Sequence, residues 1–230
     1  MQKFLRVIKN AKGFTFIELV VVIAMFTILS GTLLLNFTRF GRNITIQNLA
    51  QDIALQINAA QKQAISGRTN DFLSSCDRTT SDCSPRYGIY LTSSADTTNS
   101  VMSSYSGTPG KTLLTFFDYL GGFDNMLLYG NPLCGSGVNT ECLDNISLGQ
   151  GNYISTICVG VGNVCDLDIS SDQGVNIVFK RPFPDAIITT DNAQRWNYLR
   201  ITVTSPNQTD TRSRDIVVTS LGQISIEAHP

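Results

Sequence analysis

Residues 14–37 read FTFIELVVVIAMFTILSGTLLLNF, apolar throughout with one ionisable side chain, Glu18. From Leu19 to Leu35 no charge interrupts 17 positions. An apolar run of about 17–25 residues can cross a bilayer as a helix. In lipid every backbone polar group must be paired within the segment, so a helix is the form expected. Lys3, Arg6, Lys9 and Lys12 precede the run, and Arg39 and Arg42 follow it. That cationic bias puts the N-terminus in the cytoplasm and the body outside, as a single-pass membrane protein. A secretory signal peptide would have a shorter apolar stretch and then small residues at its cleavage site. Here the run is long and passes into NFTRFGRN. The basic leader ends in Lys12-Gly13, so the expected cut lies before the apolar run, between Gly13 and Phe14.

Glu18 needs a partner. A carboxylate inside a membrane helix costs roughly 2.5–3.5 kcal/mol on insertion scales. Cleavage after Gly13 would free an amine on Phe14, one helical turn before Glu18. That amine, on the same chain or a neighbour, is a natural counter-charge. A Glu that reaches back toward lipid head groups is the plainer alternative.

The stretch KGFTFIELVVVIAMFTIL resembles the N-terminus of type IV pilins and type II secretion pseudopilins. That family has a basic leader ending in Gly, then a Phe, then a Glu four residues further on. Gly13, Phe14 and Glu18 occupy those places. The resemblance implies cleavage after Gly13 by a prepilin peptidase, N-methylation of Phe14 and assembly with other pilin or pseudopilin subunits through an inner-membrane assembly platform. It implies that Glu18 pairs with the amine of an adjacent subunit, and that the product is a cell-surface or periplasmic filament. Many members have a proline about where Leu35 stands. This chain has none, so a kink there is not expected, and Ser30-Gly31-Thr32 becomes the candidate soft point.

Gly41 and Asn43 are weak breakers. Beyond them Ile46, Leu49, Ile53, Ile57, Ala60 and Ala64 recur at spacings of 3 and 4, one face of a helix. Gly67 is a reasonable stop. A helix from Phe14 to Ser66 would be about 80 Å long at 1.5 Å per residue. The apolar stripe of its second half reads as core packing against a sheet of the same chain. QNLAQDIALQINAAQKQAISG also resembles the corresponding part of H-type minor pseudopilins and a related class of minor pilins, and RDIVVTSLGQISIE their closing hairpin. This second resemblance implies a minor subunit; a main pilin is the alternative.

The expected fold is α+β: a leader over 1–13, a transmembrane helix half over 14–37, an extracytoplasmic helix half over 38–67 and an antiparallel β-rich head over 68–230. Residues 68–150 are dominated by Ser, Thr, Asn, Asp and Gly and read as loops around short apolar runs at Tyr87–Thr92, Leu113–Phe117 and Met126–Tyr129. From Asn152 onward β-branched runs predict strands at NYISTICVGV, VNIVFK, AIITT, NYLRITVT, RDIVVTS and GQISIE, the last two joined by a turn at Leu221-Gly222-Gln223. In NYLRITVT, Leu199, Ile201 and Val203 should face the core and Arg200, Thr202 and Thr204 the other side.

The six cysteines, Cys76, Cys83, Cys134, Cys142, Cys158 and Cys165, all follow the membrane segment, on the oxidising side. An even count there reads as disulfides, and the short separations favour three local loops, Cys76–Cys83, Cys134–Cys142 and Cys158–Cys165. Each would stabilise by about 2–3 kcal/mol. Zinc is disfavoured, since there is no Cys-x-x-Cys and the single histidine, His229, stands beside the C-terminus. Asp166, Asp168 and Asp172 in CDLDISSDQG could hold calcium through oxygen ligands, but the spacing lacks the Gly and terminal Glu of an EF-hand, and an ordinary acidic turn is the simpler reading. No cofactor or metal is expected.

The 230 residues carry 17 basic and 18 acidic side chains. With the leader's four cations set aside, the body has 13 basic against 18 acidic groups. DNA is a partner that the minor-pilin resemblance raises, and Arg195, Arg200, Arg212 and Arg214 with Trp196 or Tyr198 are the residues that could serve it. A net acidic body argues against a broad phosphate-binding surface. Catalytic Ser/His/Asp or Cys/His sets, a Walker loop and a dinucleotide fingerprint are missing, so the chain does not read as an enzyme. The remaining alternative is a membrane-tethered extracytoplasmic binding module whose leader stays on.

Overall fold

A computed structural model of the protein describes residues 13–66, 86–95, 99–118, 134, 142–149, 151–169, 173–180, 182–192, 194–206 and 213–229, without the side chains of 34–43. The expectations that fall on Met1–Lys12, Gly67, Cys76, Cys83, Met126–Tyr129, Asp172 and Arg212 lie outside the described residues. The chain divides into two compact units, Met1–Asn43 and Ile44–Pro230.

Helix α1 (Phe16–Ser66) runs unbroken for 51 residues. Ser30-Gly31-Thr32, the candidate soft point, is helical here. Thr27 and Thr32 donate their hydroxyls to the carbonyls of Ala24 and Leu29, both at 2.8 Å, so these polar groups are satisfied inside the helix. Gly41 and Asn43 do not end it either; one glycine in a helix interior costs only about 1 kcal/mol. Phe16–Leu33 is an 18-residue apolar window long enough to cross a membrane, and none of it is buried within the chain.

In the second unit the apolar spacing of α1 becomes a buried stripe. Ile46, Leu49, Ile53, Ile57, Ala60 and Ala64 are all buried, and Ala50 and Ala54 join them. The stripe shares one core with two sheets. Among the described residues, the first sheet holds β1 (Arg86–Thr92), β2 (Thr112–Asp118), β3 (Cys142–Ser147), β6 (Gly174–Phe179), β7 (Ala186–Thr190) and β8 (Arg195–Trp196), in the order β3-β2-β1-β6-β7-β8. The second holds β4 (Tyr153–Gly160), β5 (Leu167–Asp168), β9 (Tyr198–Thr204), β10 (Ser213–Thr219) and β11 (Ile224–Ala228), in the order β11-β10-β9-β4-β5. Every pairing described is antiparallel. The fold is therefore α+β, an apolar N-terminal helix followed by an antiparallel head.

Two elements escaped the sequence reading. β3 lies in a stretch read as loop because it is a sheet edge of alternating polar residues. The short helix α2 (Ser100–Ser104) lies in the Ser-rich stretch; Asn99 caps it by accepting the Met102 N–H at 2.8 Å. α2 closes the far face of the first sheet, where Met102 and Tyr105 pack with Tyr90, Leu114, Phe116 and Val178. The Tyr90 hydroxyl accepts from Asn99 at 3.0 Å and donates to Asp191 at 3.0 Å, which ties this second cluster to the β6–β7 end.

On β9, Leu199, Ile201 and Val203 face the shared core, as their spacing requires. Thr202 and Thr204 lie on the opposite face but are buried rather than solvated. Thr202 donates to the buried Asp215 at 2.8 Å and Thr204 to Ser155 at 2.8 Å, so strand neighbours, not a second layer, cover them. Asp215 also lies 2.9 Å from His229 Nδ1 through each carboxylate oxygen. A buried acceptor that loses a partner costs about 1–3 kcal/mol. His229→Ala is thus expected to destabilise the head by about 1–3 kcal/mol and to raise amide exchange along β11, which hydrogen-exchange mass spectrometry would register. Unchanged protection of β11 would refute this.

The β10–β11 turn is held by α1. Gln61 Nε2 donates to the carbonyls of Pro184 at 2.8 Å and Gly222 at 3.1 Å. Gly222 sits at φ +76°, and a Cβ there would run into the Pro184 carbonyl, so glycine is required on both counts.

Candidate functional site

The start of α1 is built by two residues. The Thr15 N–H and hydroxyl both donate to Glu18 Oε2 at 2.9 Å, while the Glu18 N–H points back to Thr15 Oγ1 at 3.4 Å. This is a capping box: the Thr and the Glu three residues later satisfy each other's exposed backbone donors. The first helical bond follows at once, Leu19 N–H to Thr15 O at 3.2 Å. A carboxylate in the first turn also meets the positive end of the helix dipole. Glu18 therefore has an intramolecular task in the uncleaved chain.

Gly13 and Phe14 precede the helix and are exposed. The peptide bond between them lies in irregular backbone two residues before the first helical position, with open space where a Gly13 Cβ would be. A bond so placed is accessible to a protease, since it need not be unwound from a helix first. Cutting it would leave a cationic amine on Phe14, four residues before Glu18, Thr15's hydrogen-bonding partner.

A model of the prokaryotic N-terminal methylation motif matches residues 8–34, a span that contains Gly13, Phe14, Thr15 and Glu18. The chain carries the N-terminal signature of the type IV pilin and pseudopilin family. No curated protein and no solved structure matches it. The match on this pilin-like chain covers the leader end and the apolar half of α1 and none of the head. The motif supports a pilin-like precursor. Thr15 is the site residue that the sequence reading missed. Its signal in the sequence is Thr-x-x-Glu, the capping-box spacing.

Other candidate residues of the pilin-like chain separate in space. Cys134–Cys142 and Cys158–Cys165 are disulfides. Asp166 Oδ2 accepts the Val161 N–H at 2.7 Å and closes the loop between β4 and β5. Cys158, Cys165 and Asp168 are the metal-like group among the described residues, but the two sulfurs are bonded to each other and offer no thiolate. The described arginines do not converge. Arg200 pairs across strands with Val217 and Cys158 on one face of the second sheet, Arg214 pairs with Val203 on the other, and Arg195 belongs to the first sheet. Tyr198 is buried and Trp196 half-buried, so neither presents an open ring beside a cationic surface.

Proposed function

We propose that the chain is a non-enzymatic subunit of a type IV pilus or type II secretion pseudopilus. It is inserted with its N-terminus in the cytoplasm, cut after Gly13 by a prepilin peptidase, methylated on Phe14 and delivered through an inner-membrane platform to a filament. The leader, the apolar helix half and the disulfide-bearing head over 68–230 then have separate tasks of targeting, assembly and display. One observation carries the reading: an exposed Gly13–Phe14 bond stands directly before a capped helix whose apolar first half is bare. Such a surface is stable in lipid before assembly and against sister helices afterwards. The capping box keeps Glu18 hydrogen-bonded in the precursor, and the amine released by cleavage gives the same carboxylate a charged partner on a neighbouring subunit.

Within the filament the chain takes a minor place, a reading supported by the likeness of 47–67 and of the closing hairpin to H-type minor pseudopilins. Its copy number in sheared filaments tests that point. The processing step has a direct test. Mass spectrometry of the mature protein should find a methylated Phe14 as the first residue; an intact Met1 would instead make it a membrane-tethered module.

A further inference from the structure

Among the described residues the edges of the two sheets are β3, β8, β11 and β5, and they are not alike. β8 and β5 span two residues each, while β3 carries Asp144 and a register break against β2 between Thr115 and Phe116. β11 has five residues, Ile224–Ala228, pairs with β10 without a break and contains neither Lys nor Pro. Short strands, bulges, Lys and Pro are the usual means of keeping an open edge from pairing. β11 uses none of them.

The hydrogen-bond alternation tells which groups on β11 are open. The Thr219 N–H bonds the Gln223 carbonyl at 3.0 Å, so Gln223, Ser225 and Glu227 direct their backbone groups to β10. The N–H and C=O of Ile224, Ile226 and Ala228 therefore point the other way, along the edge. Residues 225–228 are exposed, and among the described residues no backbone bond reaches the three outward positions. A row of this kind is matched by another extended backbone.

The side chains say what that backbone must carry. Ile224 and Ile226 lie opposite Val218 and Ile216 on the core face, yet Ile226 remains 37% exposed. An aliphatic side chain beside it on an added strand would cover it. Glu227 lies on the other face, directly opposite Asp215, and like charges so placed repel. Thr202 and His229 bond Asp215, whereas the hydrogen-bond partner of Glu227 among the described residues is Ser225 Oγ at 3.2 Å. Arg200 is on this face but on β9, opposite Val217, and Arg214 is on the core face, opposite Ala228. A cation directly beside Glu227 has to come from the open side. A second β11 does not provide one: paired antiparallel about Ile226, it sets Ser225 beside Glu227. We propose that the open edge of β11 takes up an extended segment of another protein as an added strand, aliphatic on the side of Ile226 and basic on the side of Glu227. The edge lies in the head and is open with or without a filament.

The test titrates the full chain in nonionic detergent with a blocked heptapeptide of alternating Val and Lys and reads hydrogen exchange at single amides. The peptide should slow exchange at Ile226 and Ala228 at least about tenfold, and a heptapeptide of alternating Val and Glu should not. Glu227→Lys should reverse that preference, which a merely damaged fold would not do. Ile226→Pro removes an outward N–H that β10 does not use, and should weaken binding of the Val–Lys peptide at least about tenfold. No slowing at these amides, equal responses to the two peptides, an unchanged preference in Glu227→Lys or full binding by Ile226→Pro would overturn the proposal. Slowing that appears without peptide as the protein is concentrated would assign the edge to a second copy and overturn it as well.

Discussion

Glu18→Ala is expected to leave membrane insertion intact and to reduce entry into filaments by roughly a hundredfold or more. In the assembled state the carboxylate would face an amine in a low-dielectric surrounding, and removing one partner of such a pair costs about 3–5 kcal/mol. Alanine also removes the capping acceptor for Thr15, so two effects are mixed. Glu18→Gln separates them. Glutamine serves a capping box as glutamate does but carries no charge. Thr15→Ala does the reverse: it keeps the charge and loses the cap side chain, a change worth about 0.5–2 kcal/mol of helix stability. If pairing with the Phe14 amine drives assembly, Glu18→Gln should resemble Glu18→Ala, and Thr15→Ala should stay close to the unaltered chain. Filament fractions with normal amounts of the Gln variant would leave Glu18 with only the cap to explain it.

The second large effect lies in the head. Ile57 is fully buried in the stripe of α1 that both sheets cover. Ile57→Ala should cost about 2–5 kcal/mol, because the lost side chain leaves a cavity between elements that cannot all relax toward it. The near-UV melting transition of the full chain in detergent should fall by roughly 5–15 °C. Leu55→Ala, two positions away and exposed, should change stability by no more than about 0.5 kcal/mol. Equal losses for the two variants would mean that the stripe is not what joins α1 to the sheets.

The contrast between Ile57 and Leu55 is also why the helix could be read before its fold was known. Spacings of 3 and 4 in apolar residues have one geometric meaning, and the buried positions obey it. Leu199, Ile201 and Val203 were legible for the same reason at period two. What stayed hidden depends on neighbours distant in sequence. The burial of Thr202 comes from Asp215 across the sheet, and β3 is a strand only because β2 lies beside it. α2 is too short for a periodic signal and is set by one Asn cap. At the candidate site the positions of Gly13, Phe14 and Glu18 were plain, since they are local in sequence, while the role of Thr15 depended on noticing that a polar group at a helix start has backbone donors to satisfy.

The shared core also dictates an order of events during synthesis. The stripe of α1 leaves the ribosome early, but β9 and β10, which share its core, are made late, ahead only of β11. Until residues 198–219 are complete, the aliphatic ribbon of α1 lacks the part of its cover that β9 and β10 supply. Nascent chains stalled before Tyr198 should consequently stay bound to holding chaperones that the finished protein no longer engages.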